Sequence, residues 1–134
     1  HLYLHSFPTR RSSDLKAAME GVMYKMFSVF EVLTQLNNNV KQIKANGGYA
    51  NSDIWLQIQA DVFNREIALA GVGEAAAFGA AYVAMATVGA IPHLRHSLDC
   101  MQPRRVIKPN EGNNQVYKEA YADFRKLYQS IYGA

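Results

Sequence analysis

An α/β fold with an incomplete sheet is predicted by three features of this sequence. Long helical patterns alternate with short strand-like segments, and glycine-rich turns separate them. Two segments read as strands, too few to complete the sheet of such a domain. The order is helix, strand, helix, strand, helix, then a helical tail. The remaining strands are expected from upstream sequence or from another chain. The 134 residues suit one domain or a piece of a larger one. A single cysteine, Cys100, excludes a disulfide-stapled scaffold and fits a cytoplasmic protein. No apolar run approaches the ~20 residues of a membrane helix, so no membrane contact is expected. Hydrophobic residues at 49% against charged residues at 19% exclude disorder.

Residues 1–15 stand apart and are predicted to be an irregular, non-native tail. They show no helical or strand period, and Pro8, Arg10-Arg11 and Ser12-Ser13 suit a loop. The string HSFPTRRSSDL (5–15) resembles the translation of a sequencing-library adapter, which has no place in fold reasoning. Without it the balance is 12 basic against 10 acidic residues, a charge of +2 in place of +3. So small an excess names no partner. Arg104-Arg105 with Lys108 is too short a basic patch to imply nucleic acid.

The domain proper is read as residues 16–134. From Lys16 to about Leu36, apolar residues at three- and four-residue steps (Met19, Val22, Met23, Met26, Phe30, Leu33) predict one amphipathic helix, with Lys16, Glu20 and Lys25 opposite. Gly21 costs about 1 kcal/mol against Ala there, which suggests a close neighbour. Asn37-Asn38-Asn39 ends the helix. Val40–Ala45 alternates as a strand, and Asn46–Asn51 is a turn that tolerates positive φ. Ser52 and Asp53 follow as N-cap and first-turn acid of a helix to Phe63, which presents Ile54, Ile58 and Val62 with Trp55 beside them.

Glu66–Leu69 reads as a second strand. Gly71 and Gly73 turn the chain, and Glu74 starts a helix reaching about Val88. The run of Ala and Gly from Ala75 to Ala81 predicts a neighbour packed close against it. Gly89 and Pro92 break that helix. His93–Met101 is expected to be a short helix, and Gln102–Pro109 an irregular stretch or short edge strand. Gln115–Tyr132 is a last amphipathic helix, burying Tyr117, Ala120, Tyr121, Phe124, Leu127, Tyr128 and Ile131.

Chemistry is concentrated in the strand–Gly-Gly–helix unit, Ile43 through Phe63. Glycines let a ligand approach the backbone, and unpaired N–H groups at a helix start suit phosphate or polar atoms. Ser52 is equally able to contact a ligand or to cap the helix. The unit matches neither the phosphate-loop pattern nor G-x-G-x-x-G. On a helix, His93, His96 and Cys100 with Asp99 fall at metal-ligand steps, but no second cluster completes a site, and no metal is expected. Glu74 reads as a helix-dipole partner and Asp61 as a structural or surface carboxylate.

Four segments carry a family resemblance: KAAMEGVMYKMFSVFEVL (16–33), IKANGGYANSDIWLQIQADVF (43–63), GEAAAFGAAYVAMATVGAI (73–91) and YKEAYADFRKLYQSIY (117–132). Through them Lys16–Ala134 resembles the C-terminal part of the FGGY family of carbohydrate kinases. The resemblance implies part of an actin-like ATPase (ribonuclease H-like) domain, whose two lobes close around nucleotide and sugar. It implies ATP and Mg²⁺ as cofactors and a sugar or sugar acid as substrate, and it leaves a homodimeric parent open. It places Gly47 and Gly48 against the nucleotide and Ser52 at the adenine, with Tyr49, Ala50 and Asn51 in variable positions. The family's catalytic Asp, phosphate loops and sugar pocket lie upstream. No catalytic residue is therefore assigned here, and the chain alone is expected to be inactive. Gluconate kinases are the most similar in EGVMYKMFSVFEVL and the Gly-Gly stretch, xylulose kinases are next, and glycerol kinases, usually with Asn where Ser52 stands, are further off. A different class, a non-catalytic helical interaction module, predicts Met19, Met23 and Met26 exposed. The kinase reading buries them against a missing or neighbouring lobe.

Overall fold

The structure is a computed structural model describing residues 7–36, 40, 42–71, 75–94 and 103–133, with side chains from Ser12 onward. Its elements are α1 (Phe7–Leu36), β1 (Ile43–Ala45), a 3₁₀ turn (Gly48–Asn51), α2 (Asp53–Phe63), β2 (Ile67–Ala70), α3 (Ala75–Thr87), β3 (Pro103–Ile107) and α4 (Glu111–Tyr132). The sheet order is β1-β2-β3. β1 lies parallel to β2, with Ile43 opposite Ile67, and β2 antiparallel to β3, with Ile67 opposite Ile107. The third strand is the edge segment expected near Gln102–Pro109.

Helix α2 is the middle layer. Leu56 and Ala60 pack on Ala45, Ile67 and Ile107 of the sheet. Ile58, Val62 and Phe63 pack on Met19, Met23 and Tyr24 of α1 and on Tyr117 and Tyr121 of α4. A helix apolar on two faces must be covered on both, and a sheet below with two helices above meets that need. Ile54, expected on the buried face, points outward instead and is 65% exposed.

Several expectations need correction. Helix α1 begins at Phe7, so residues 7–15 are helical and not irregular. Extending a formed helix costs little, and the turns after Lys16 supply the nucleus. Met19 and Met23 are buried against this chain's own helices, neither exposed as the interaction module expects nor set against a missing or neighbouring lobe as the kinase reading expects, while Val22, Met26 and Leu33 are exposed. Tyr24 and Phe27 take the places expected for those three. Glu20, read on the polar face, is partly buried and accepts a hydrogen bond from the Tyr117 hydroxyl. Neither Gly21 nor Gly79 has a close neighbour, since a Cβ at either would meet nothing within 4 Å. No residue of α3 is buried, so the tight partner expected for its Ala/Gly run is not among the described residues. In α4, Leu127 and Ile131 are exposed.

Helix α4 also starts four residues earlier than its apolar period suggests. Asn110 caps it, its Oδ1 accepting from the N–H groups of Gly112 at 3.0 Å and Asn113 at 3.4 Å. Asp61 holds that cap in place. The residue is 1% exposed, and its carboxylate is fully engaged. It accepts from Asn110 N–H at 2.7 Å, Asn113 Nδ2 at 2.8 Å and Gln57 Nε2 at 2.8 Å. Asn114 Nδ2 donates to the Asp61 carbonyl at 2.7 Å. Asp61 is thus the structural carboxylate of the two alternatives. Asn37–Asn39, Gly73 and Glu74 lie outside the described residues, as does the expected 93–101 helix beyond Leu94.

Two outcomes follow from this packing. Asp61→Asn places an amide against three donors and is expected to lower unfolding free energy by about 2–4 kcal/mol in urea titrations. The second concerns pH. Burial, then the Glu20 charge, pushes the Tyr24 phenol up to about 12 from 10.0. Burial, then the hydrogen bonds to Glu20 and Glu31, also raises Tyr117 and Tyr121 respectively, with Arg125 opposing the rise at Tyr121. Phenols held neutral by folding stabilise the fold fully below their unfolded value. That stability is lost as pH rises from about 10 towards the folded values. The urea midpoint should therefore fall steadily above pH 10.

Candidate functional site

The Gly47–Ser52 loop leaves the carboxyl end of β1 and enters α2, which is where ligands sit in open α/β sheets. Gly47 has φ 85° and ψ −174°, a region that is essentially glycine's alone. The turn is closed by Ala50 N–H to the Gly47 carbonyl at 3.1 Å and by Ser52 N–H to the Tyr49 carbonyl at 3.0 Å. Both glycines are exposed, and the space where a Cβ would stand is open. Ser52 occupies the N-cap position in extended conformation, yet its side chain makes no capping bond. The first N–H groups of α2 have no partner within the helix and none from Ser52.

Asp53, in the first turn of α2, pairs with Arg105 of β3 at 2.6 Å. The Arg105 guanidinium offsets the Asp53 carboxylate, so this pair leaves no net side-chain charge at the α2 start. The bare glycine backbone and the non-capping Ser52 hydroxyl fit a polar ligand such as a nucleotide. Lys108, also of the short basic run, pairs with Glu66 at 3.8 Å.

Tyr49, expected at a variable loop position, anchors the loop. Its ring packs on both core clusters and lies edge-on to Trp55, with centroids 6.5 Å apart. Its hydroxyl donates to Gln59 Oε1 at 3.3 Å, and Gln59 is buried. Burial raises the Tyr49 phenol, and the Gln59 bond partly offsets the rise. An aromatic one residue after a Gly-Gly, ten before a buried-face Gln, was the available signal. Of the suggested metal group, His93 is described as exposed coil, and His96, Asp99 and Cys100 lie outside the described residues. Among the described residues no three His, Cys, Asp or Glu side chains gather.

The fold is that of the C-terminal part of an actin-like ATPase. A model of the FGGY family of carbohydrate kinases, C-terminal domain, matches residues 6–88, and the chain belongs to that family. It is 35% identical over 119 residues to a gluconokinase of Bacillus subtilis, covering 88% of this chain and 23% of that protein. A xylulose kinase of Staphylococcus epidermidis is 27% identical over 115 residues, covering 85% and 23%. Among solved structures, one described as a xyloylose kinase from Brucella ovis superposes with TM-score 0.75 at 30% identity, covering 96% of this chain and 26% of that one. The chain thus spans about a quarter of the length of the curated relatives it matches.

Two substitutions separate the roles in the loop. Gly47→Ala meets no atom but is strained at φ 85°, and is expected to cost about 1–3 kcal/mol in urea unfolding. Tyr49→Phe leaves the buried Gln59 oxygen one donor short, and should cost about 1 kcal/mol in the same measurement.

Proposed function

We propose that the parent of this chain is an ATP- and Mg²⁺-dependent kinase that phosphorylates a hydroxyl of gluconate. The membership in a carbohydrate-kinase family carries the reading, and the gluconokinase relatives at 30% and 35% identity favour this substrate. Xylulose is the second reading, supported by the xylulose kinase relative and by the TM-score of 0.75 to the Brucella ovis structure. The protein works in the cytoplasm, and residues 1–15 are a non-native tail ahead of a domain at 16–134.

In such a kinase the bound nucleotide supplies the γ-phosphoryl group that passes to the sugar oxygen, and catalysis rests on positioning and charge stabilisation. Gly47 and Gly48 keep the backbone bare, so their N–H groups face the nucleotide without a side chain between. Ser52, free of the capping role, offers its hydroxyl to the adenine. Tyr49 holds the loop in place from below. The carboxylate that takes the hydroxyl proton and the pocket that chooses the sugar belong to upstream polypeptide. This chain binds and orients nucleotide and does no chemistry alone.

The test compares ATP-dependent phosphorylation of gluconate, xylulose and glycerol by the full-length parent and by the 134-residue chain. Turnover with gluconate at a kcat/KM at least tenfold above xylulose is expected from the parent, and none from the chain. Preference for xylulose would select the second reading. Sugar-dependent turnover by the chain alone would overturn the division of roles.

A further inference from the structure

Helix α2 buries two polar side chains, Gln59 and Asp61. Asp61 is engaged at the start of α4. Gln59, 2% exposed, takes no part in that network. Among the described residues its side chain has one hydrogen bond, Oε1 accepting from the Tyr49 hydroxyl at 3.3 Å. A buried amide in an apolar layer is costly unless it is bonded, and the bond that Gln59 makes ends on the glycine loop.

Little else fastens that loop to α2. Gly47 and Gly48 bring no side chain, Asn51 is exposed, and Ser52 makes no capping bond. The bonds from Ala50 N–H to the Gly47 carbonyl and from Ser52 N–H to the Tyr49 carbonyl lie within the turn itself. Ala50 touches the sheet-side cluster alone, whereas Tyr49 reaches both clusters and lies edge-on to Trp55. Ring packing is non-directional, so the hydroxyl on Gln59 is the contact that fixes how the Tyr49 ring is set on the helix. Burial raises the Tyr49 phenol more than the Gln59 bond lowers it. The hydroxyl therefore keeps its proton, and remains a donor, at neutral pH.

We propose that Gln59 is a positioning residue for the nucleotide: through the Tyr49 hydroxyl it holds Gly47–Ser52 in the form that receives the ligand, and so governs ATP affinity without touching ATP. The inference rests on this loop being the nucleotide site, but not on which sugar is phosphorylated. Glycine loses more freedom on ordering than any other residue, so a loop that must be ordered at the moment of binding binds more weakly. The loop meets the nucleotide in ground and transition states alike. Loosening it therefore raises KM for ATP and leaves kcat in place.

The test compares Tyr49→Phe, Gln59→Met and the double variant with the unaltered protein; both substitutions nearly conserve side-chain volume. Trp55, the single tryptophan of the chain, reports the loop. Acrylamide quenching of its emission in the nucleotide-free 134-residue chain should rise about 1.5-fold in each single variant. In the full-length parent, KM for MgATP should rise about fivefold in each. There kcat and the KM for gluconate or xylulose should stay within about twofold. The double variant should be no worse than either single one, because both act through one bond. A merely structural bond would lower the urea midpoint and leave KM for ATP unmoved, and that result would overturn the proposal. So would unchanged quenching in both single variants, or KM effects that add in the double variant. An unaltered parent that turns over no ATP with any of the three sugars removes the functional reading and this inference with it. An active parent whose variants keep the KM for ATP removes this inference alone.

Discussion

Burial of the Asp61 carboxylate is the constraint on which the architecture turns. A charge removed from water must be met by donors, or the fold loses more than it gains. Here the donors come from Gln57, one helical turn back on α2, and from Asn110 and Asn113 around the start of α4. The carboxylate therefore fixes where α4 begins and how it crosses α2. With α4 in place, Tyr117 and Tyr121 reach Glu20 and Glu31 of α1, and the second helical layer closes. Gln57 also donates to the Lys108 carbonyl at 3.0 Å, so the link extends to the end of β3.

The same helix that carries Asp61 positions the candidate site. α2 is held from below by the sheet and from above by α1 and α4, so its N-terminal end is a fixed rim against which Gly47–Ser52 is folded. Tyr49 transmits that rigidity, because its ring is shared by both cores. The exposed glycines are thus free for a ligand while the loop around them is anchored. An unanchored glycine loop would have to be ordered at the moment of binding, at a cost in affinity.

Much of this was legible in the sequence. The extent of α2, about Asp53 to Phe63, was legible because Ser52-Asp53 supplies a start, although Ile54 of the expected face is exposed. The Gly-Gly turn was legible because few residues besides glycine tolerate its backbone. The start of α4 was not, because Gly112, Asn113 and Asn114 are poor helix formers and the cap is held by contacts 49 to 53 residues away. Tyr49 was missed for a related reason: a loop aromatic gives no period, and its role exists only once Gln59 and Trp55 are brought beneath it.

Residue order alone carries the family, the alternation of helices and strands, and the place of the glycine loop. These depend on local spacing and on motifs that survive without neighbours. The neighbouring elements fix which residues of α1 face inward, that Asp61 is structural, and that Ser52 leaves its hydroxyl uncommitted. Each of those turns on what stands opposite a side chain. A periodic pattern records that a face is apolar, but only the assembled layers say what covers it.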